Sequence, residues 1–205
     1  MFKNINVKKV VMLFLGIVIL GFGCTLLIIS NIGTDSISIM YQGCSRFFGI
    51  TIGLGTFLVT LLFTTLLFFL DRSKIGLATL VSISLLGPCI NIFCAIPFVL
   101  PGTFLASLVF LIVGLLVCSF GVALYIKSDT GLSAYEGLDM YLSEKIGFSF
   151  GKVKIFVDCI FFIIGWVMGG TFGIGSVITL VFYGPLIDFF LTILGRISAL
   201  QILKE

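Results

Sequence analysis

The sequence predicts an all-α membrane protein, a polytopic helical bundle with six transmembrane helices arranged as two inverted three-helix repeats. Three observations predict this fold. Long apolar runs dominate a chain of 205 residues, of which 60% are hydrophobic and 10% charged. Basic residues cluster on alternate connections between those runs, and one pattern of glycine, proline and polar residues occurs twice. A water-soluble fold could not bury so much apolar surface.

The apolar runs define the transmembrane helices, because a bilayer crossing needs about 20 consecutive apolar residues. Continuous runs without strand-like alternation favour helices over a barrel. Two shorter segments, Asp35–Phe48 and Ser133–Ile146, are predicted to form short interfacial helices after the first and fourth spans. The six predicted spans are Val10–Ile29, Thr51–Leu70, Ile75–Val99, Thr103–Ile126, Val153–Phe172 and Gly173–Leu194.

Positive charge predicts the orientation of these spans. With the N-terminus inside, every lysine and arginine except Arg46 lies on an inner segment. Both termini are therefore expected in the cytoplasm. The net charge of +3 is explained by lipid headgroups beside the spans, without a nucleic-acid partner. The chain has no histidine, and its six cysteines lie singly in apolar surroundings, so neither a metal site nor a cofactor is expected.

An internal duplication becomes visible when the chain is shifted by 98 residues, which aligns Gly23 with Gly121 and Gly33 with Gly131. One deletion later, Gly87-Pro88 aligns with Gly184-Pro185. A colinear series of such matches is not expected from apolar composition alone. The repeats are predicted to cover residues 1–100 and 101–205. Three spans in each copy make the second copy enter the membrane from the opposite side.

Two pairs of motifs are candidate substrate-binding elements. At the first pair, each span ends in polar residues and a glycine before a helix cap, which is either a corner of the fold or an anion site at a helix start. The second pair is the Gly-Pro steps, which predict either packing kinks or interrupted helices beside a central site. The residues concerned are Asn31, Gly33, Asp35, Ser128, Gly131 and Ser133 in the corners, and Gly87, Asn91, Gly184 and Asp188 near the prolines.

Acidic residues within apolar spans are expensive and often functional. Asp158 and Asp188 lie in the fifth and sixth predicted spans, where the first repeat has Thr60 and Asn91. Both are therefore predicted to be proton- or cation-coupling residues. The alternative for Asp158 is an ion pair with Lys154, one turn back. For Asp188 the alternative is a hydrogen bond to the inner corner around Gly131.

The chain also resembles a known family. The glycine-rich exit of the first span, the starts Thr51-Ile52-Gly53 and Ser149-Phe150-Gly151, and the twin Gly-Pro motifs resemble the YczE/YyaS/YitT group of bacterial membrane proteins. The resemblance extends over nearly the whole chain and is clearest from Gly121 to Asp188. It implies a bacterial cytoplasmic membrane and carries over no catalytic residue.

The function predicted from this architecture is transport of a small polar or anionic solute by alternating access, coupled to protons or another cation. The alternative is a membrane partner that does not transport by itself, such as a substrate-binding subunit of a larger complex. An intramembrane enzyme is not expected, because the sequence has no paired metal-ligand motif and no nucleophile motif. The expected partners are the lipid bilayer and a small-molecule substrate, and self-association of the chain stays open.

Overall fold

The computed structural model describes residues 6–97, 101–148 and 150–202, and this part of the chain is helical apart from one isolated bridge between Ile75 and Leu132. A short 3-10 turn, Arg72–Lys74, joins the third and fourth helices. The α-helices are α1 (Val7–Ser30), α2 (Ser36–Phe48), α3 (Ile52–Leu70), α4 (Leu77–Ala95), α5 (Phe104–Lys127), α6 (Ala134–Ile146), α7 (Phe150–Val167) and α8 (Ile174–Ile202).

Side-chain caps explain where several of these helices begin. The side chain of Asp35 accepts a hydrogen bond from the amide of Ser38 at the start of α2. Thr51 and Thr103 cap α3 and α5 in the same way. Each cap satisfies an amide that has no partner within the helix. Asp35 and Thr51 thus fix the positions at which α2 and α3 begin.

Five helices of the described chain are long and apolar enough to cross a membrane: α1, α3, α4, α5 and the Ile174–Arg196 part of α8. This confirms an all-helical membrane protein. The remaining predicted span, Val153–Phe172, corresponds to α7, which is 18 residues long and carries Lys152, Lys154 and Asp158. It is not among those five helices, so a sixth crossing stays a prediction.

The boundaries of the third, fifth and sixth predicted spans differ from the observed helices α4, α7 and α8. α7 ends at Val167, because Gly169 adopts a left-handed conformation and Gly170 packs against the backbone of Ile39. α4 ends at Ala95, and residues 98–100 of its predicted span lie outside the described residues. α8 continues to Ile202. α4 and α8 also run through Pro88 and Pro185 without interruption, so the predicted helix breaks are wrong.

The helices α1 and α5 pack against each other more extensively than any other pair and form the centre of the bundle. A Cβ atom on Gly16 would lie 2.9 Å from the carbonyl oxygen of Gly121, and one on Gly121 would lie 2.6 Å from the amide of Leu20. Gly23 makes an equally close approach to Cys118. Small residues allow the two backbones to touch, which gives close packing where the hydrophobic effect is weak.

The two short helices occur where the sequence predicts them, each 13 residues long and each ending at a left-handed glycine. Their surroundings differ from the expected interfacial position, however. The residues of α2 from Ser36 to Ser45 are all buried, and α2 packs on α3 and α7. α6 likewise packs on α3 and α7. α2 is therefore enclosed in the bundle, where Ser36, Ser45 and Gln42 form hydrogen bonds with protein partners. The buried hydroxyl of Ser38 has no such partner among the described residues.

The two corners have matching geometry and dock crosswise. Asn31 and Asp129 both have a φ near +55°, and the φ angles of Gly33 and Gly131 are 115° and 110°. The first corner holds the start of α8, because Ile32 accepts a hydrogen bond of 2.8 Å from the amide of Gly175. The second corner holds the start of α4 through bonds from Ala78 and Thr79 to Thr130 and Leu132. Each corner thus anchors the last helix of the opposite half.

Candidate functional site

The start of α2 and the faces of α6 and α7 bring together a buried polar cluster around Asp158. One carboxylate oxygen of Asp158 accepts hydrogen bonds from the Ser36 hydroxyl, at 2.5 Å, and from the Tyr135 hydroxyl. Asp158 itself is 8% exposed. Two hydroxyl donors thus converge on one oxygen of a buried carboxyl group close to the start of α2.

Lys154 supplies the positive charge of this cluster. Its ammonium nitrogen lies 3.7 Å from a carboxylate oxygen of Asp158 and 3.7 Å from one of Asp139. It donates a hydrogen bond of 2.9 Å to the Tyr135 hydroxyl and lies 4.3 Å from the centre of the Tyr135 ring. The Lys154–Asp158 pair suggested by the sequence is therefore present, but a second carboxylate shares the same cation.

Asp139, on α6, is the least satisfied acid of the cluster. It is fully buried, and neither of its carboxylate oxygens accepts a hydrogen bond from a described residue. Burial raises the pKa of Asp139 to about 7, although the charge of Lys154 opposes this rise. Burial also raises the pKa of Asp35 and of Glu136 above their usual values. A low-dielectric site disfavours the charged form of all three acids.

A cavity of about 340 Å³ opens beside this cluster, between the start of α2, α7 and α8. Its polar lining consists of Asp35, Ser36, Lys154, Asp158, Thr179, Tyr183 and Asp188. A second cavity of about 340 Å³ reaches Glu136 and shares Lys154, Gly184 and Asp188 with the first. The volume is typical of sites for small solutes, and a few polar groups converge on it from three helices.

The cavity exists because α7 and α8 are separated, whereas α3 and α4, which the sequence aligns with them, pack together. Gly87 on α4 touches α3 so closely that a Cβ there would lie 2.5 Å from the carbonyl oxygen of Gly53. Gly184, its counterpart on α8, has no other atom within 4 Å of such a Cβ. An apolar groove lined by Phe162 and Trp166 continues this gap along α7. The aligned helix pairs thus have different arrangements.

The structure brings together four of the predicted site residues and separates the others. Asp35, Asp158, Gly184 and Asp188 line the cavity. Of the corner residues, Asn31 and Gly131 are exposed, and Gly33 and Ser128 are buried in turns. Ser133 donates to the Glu136 carboxyl group and caps no backbone amide of α6, so the helix cap predicted at Ser133 is absent. Gly87 and the exposed Asn91 lie against Gly53 on α3, away from Asp188.

Two expectations for these residues need correction. One of the two alternatives for the first corner was an anion site at the start of α2, but the side chain of Asp35 occupies that position and accepts the hydrogen bond of the Ser38 amide. Asp188 is exposed and lines the cavity, and its carboxyl group accepts no hydrogen bond from the corner around Gly131 among the described residues. In both cases the acid, Asp35 or Asp188, lines the same cavity.

The sequence did not predict Tyr135, Glu136 or Asp139 as site residues, and Lys154 was considered only as an ion-pair partner of Asp158. A signal was available in the alignment of the repeats. Glu136 and Asp139 align with Ser38 and Tyr41 of the first repeat. Together with Asp158 and Asp188, they replace neutral residues of the first repeat by acids at four aligned positions.

Comparison with known proteins agrees with this membrane architecture and gives no activity. An uncharacterized protein from Haemophilus influenzae is 27% identical over 191 residues, which cover 93% of this chain and 86% of the relative. The uncharacterized membrane protein YczE from Bacillus subtilis is 25% identical over 179 residues, covering 86% and 82% of the two chains. The uncharacterized protein YyaS of the same bacterium is 25% identical over 187 residues, covering 89% and 92%.

No solved structure matches the chain. The resemblance to YczE and YyaS that the sequence motifs indicate is confirmed by these relatives. Residues 7–192 match the family of unknown function DUF6198, and the chain therefore belongs to that family.

Proposed function

We propose that this protein is a transporter of a small polar solute, which it moves by alternating access between two inverted three-helix repeats, residues 1–100 and 101–205. The observation that carries this proposal is the difference between aligned helix pairs. α3 and α4 are closed on each other through Gly53 and Gly87, whereas α7 and α8 are open around a polar cavity. A transporter built from repeats needs such an asymmetry, since one half is closed while the other is open.

The crosswise corners support this mechanism. Each corner holds the first turn of α4 or α8 from the opposite half, through bonds such as Gly175 to Ile32 and Thr79 to Leu132. These bonds would keep the starts of α4 and α8 fixed while the rest of each helix tilts. The transition exchanges the two arrangements: α3 separates from α4 while α7 closes on α8.

In the proposed topology, α7 also crosses the membrane, as the fifth of six spans, and both termini are cytoplasmic. Asp158 then lies in the cytoplasmic half of α7, and Asp188 in the cytoplasmic half of α8. The open pair therefore faces the cytoplasm, in the cytoplasmic membrane of a bacterium. The lysines at the start of α7, Lys152 and Lys154, fit this orientation, since basic residues concentrate on the cytoplasmic side.

The charges around the cavity favour a neutral or positively charged solute over an anion. Three carboxylates, those of Asp35, Asp158 and Asp188, line it against the single ammonium group of Lys154. An anionic solute would meet a net repulsion in a partly desolvated site. The hydroxyls of Ser36 and Thr179 offer additional hydrogen bonds to a polar group.

The experiment has two steps. Thermal-shift screening of the purified protein against metabolites identifies a ligand, because a ligand that binds the folded state raises its stability by mass action. Uptake of that ligand into proteoliposomes, with and without a pH gradient, then measures transport. Asp188→Asn should weaken binding at least tenfold, and Asp158→Asn should abolish the effect of the pH gradient. Asp129→Asn is the matched control, since Asp129 is exposed and pairs with Lys9 outside the cavity. Flux that is identical in all four proteins would contradict the proposal.

The second candidate is a membrane subunit that acts with a partner. It is favoured by the exposure of α8. In the most apolar 18-residue stretch of α8 only 6% of the residues are buried, compared with 39 to 50% in the corresponding stretches of the other four spans. A missing partner helix would cover that surface. In this case an energising ATPase subunit should copurify at fixed stoichiometry, and the isolated chain should bind its solute in detergent without transporting it. Flux through the purified chain alone excludes this candidate.

A further inference from the structure

We infer that Asp139 binds the coupling proton and that Lys154 transmits its protonation to the substrate cavity; this inference rests on the transport function proposed above. Asp139 does not line the cavity itself. It lies behind Lys154, which does. The structure thus separates the acid that titrates from the acids that meet the solute, with one mobile cation between them.

The geometry around Lys154 supports this role. Its ammonium nitrogen is equidistant, at 3.7 Å, from Asp139 and Asp158, and neither ion pair is closed to hydrogen-bond distance. Its hydrogen bond goes to the Tyr135 hydroxyl, which in turn donates to Asp158. A small rotation of the lysine side chain would close either pair. Asp139 has no other donor among the described residues, so its charge depends on Lys154.

The groups that face Asp139 come from each element packed around it. On its own helix, Glu136 is a second, partly buried acid and disfavours the ionised form of Asp139. On α7, Lys154 favours that form and Asp158 disfavours it. The third neighbour, α3, contains no ionisable residue. Lys74, which follows α3, is engaged by Glu144 at 2.5 Å. Burial raises the pKa of Asp139 to about 7, so the carboxyl can exchange its proton near neutral pH.

A proton fits this position better than a metal ion. Lys154 already supplies a positive charge between the two carboxylates, and a metal cation there would be repelled. Within the described residues, no group of three or more acids, cysteines or histidines is arranged to hold a metal. A proton cancels the charge of Asp139 without requiring additional space or further ligands.

The direction of coupling follows from the charge balance. When Asp139 is ionised, it attracts Lys154 and leaves the carboxylate of Asp158 available to a polar or cationic solute. When Asp139 takes up a proton, Lys154 loses that attraction and pairs with Asp158, which neutralises the cavity wall. Proton and solute therefore compete, so the protein exchanges one for the other across the membrane.

Infrared titration of the purified protein in lipid nanodiscs tests the proton site without a substrate. The wild type should show a protonated-carboxyl band that disappears with a midpoint near pH 7, and Asp139→Asn should lack it. Glu144→Gln is the matched control on α6, since Glu144 is exposed. Lys154→Gln should raise the midpoint by at least one pH unit, because it removes the charge that favours the ionised form. This variant keeps Asp139 in place and so tests the inference even if Asp139→Asn does not fold.

A near-neutral band that persists in Asp139→Asn, or a midpoint that does not move in Lys154→Gln, would overturn the inference. The outcome is independent of transport. If the titration behaves as expected and no solute is transported, the proposed function fails while the proton site stands.

Discussion

Replacing Gly87 by alanine should destabilise the protein, whereas the same change at Gly184 should not. A Cβ at position 87 would lie 2.5 Å from the carbonyl oxygen of Gly53, so α3 and α4 must move apart by about 0.5 to 1 Å to reach ordinary contact. Overpacking of this kind costs about 1 to 3 kcal/mol. Alanine in a helix gains about 0.5 to 1 kcal/mol over glycine, which leaves a net loss of about 1 to 2 kcal/mol.

Gly184 provides the matched control because it occupies the aligned position on α8. A Cβ there would have no other atom within 4 Å, so only the gain in helix stability remains. Thermal unfolding in detergent, followed by the fluorescence of Trp166, the single tryptophan, measures both variants. We expect Tm to fall by about 2 to 8 °C in Gly87→Ala and to stay level or rise in Gly184→Ala. Equal losses in the two variants would refute the inferred difference between the helix pairs.

Three further predictions follow from buried groups. Since burial raises the folded-state pKa of Asp139 from 3.8 to about 7, stability should be greatest below pH 4 for this group and decline as pH rises towards 7. The loss is about 4 kcal/mol at most. Asp139→Asn should flatten the decline in denaturation measured at pH 5 and pH 8, and an unchanged slope would contradict it. Gly121→Ala should lower Tm by several degrees, because its Cβ would lie 2.6 Å from the Leu20 amide; a stable variant would show that α1 and α5 do not touch there. In the folded protein, a maleimide should label the exposed Cys159 at least tenfold faster than the buried Cys118, as measured by mass spectrometry; comparable rates would contradict the packing of α5.

Features of the fold that depend on residues adjacent in the chain could be predicted from the sequence. The cap at Asp35 and the turn glycines Gly33 and Gly131 belong to that class, because a left-handed backbone selects glycine and a helix start selects an oxygen acceptor. The end of α7 could not be predicted, since it depends on Gly170 packing against Ile39 of α2. That contact is separated by more than 100 residues of sequence.

The candidate site was predicted in part for the same reason. Asp158 and Asp188 attract attention because charge within an apolar helix is costly. Asn91 was paired with Asp188 by sequence symmetry, but the two halves have different arrangements and leave Asn91 exposed on α4. Asp139 could not be predicted as a buried acid because α6 has a polar composition. Its burial results from the packing of α6 against α3 and α7.

Distances within the aligned helix pairs test the proposed alternating access most directly. Spin labels at Leu58 and Ile92 report on α3 and α4, and labels at the aligned positions Phe156 and Phe189 report on α7 and α8. All four side chains are exposed, so the labels do not disturb the packing. In nanodiscs, double electron–electron resonance should give two populations for each pair, and a change of pH should shift them in opposite directions. A single, pH-independent distance for both pairs would contradict alternating access.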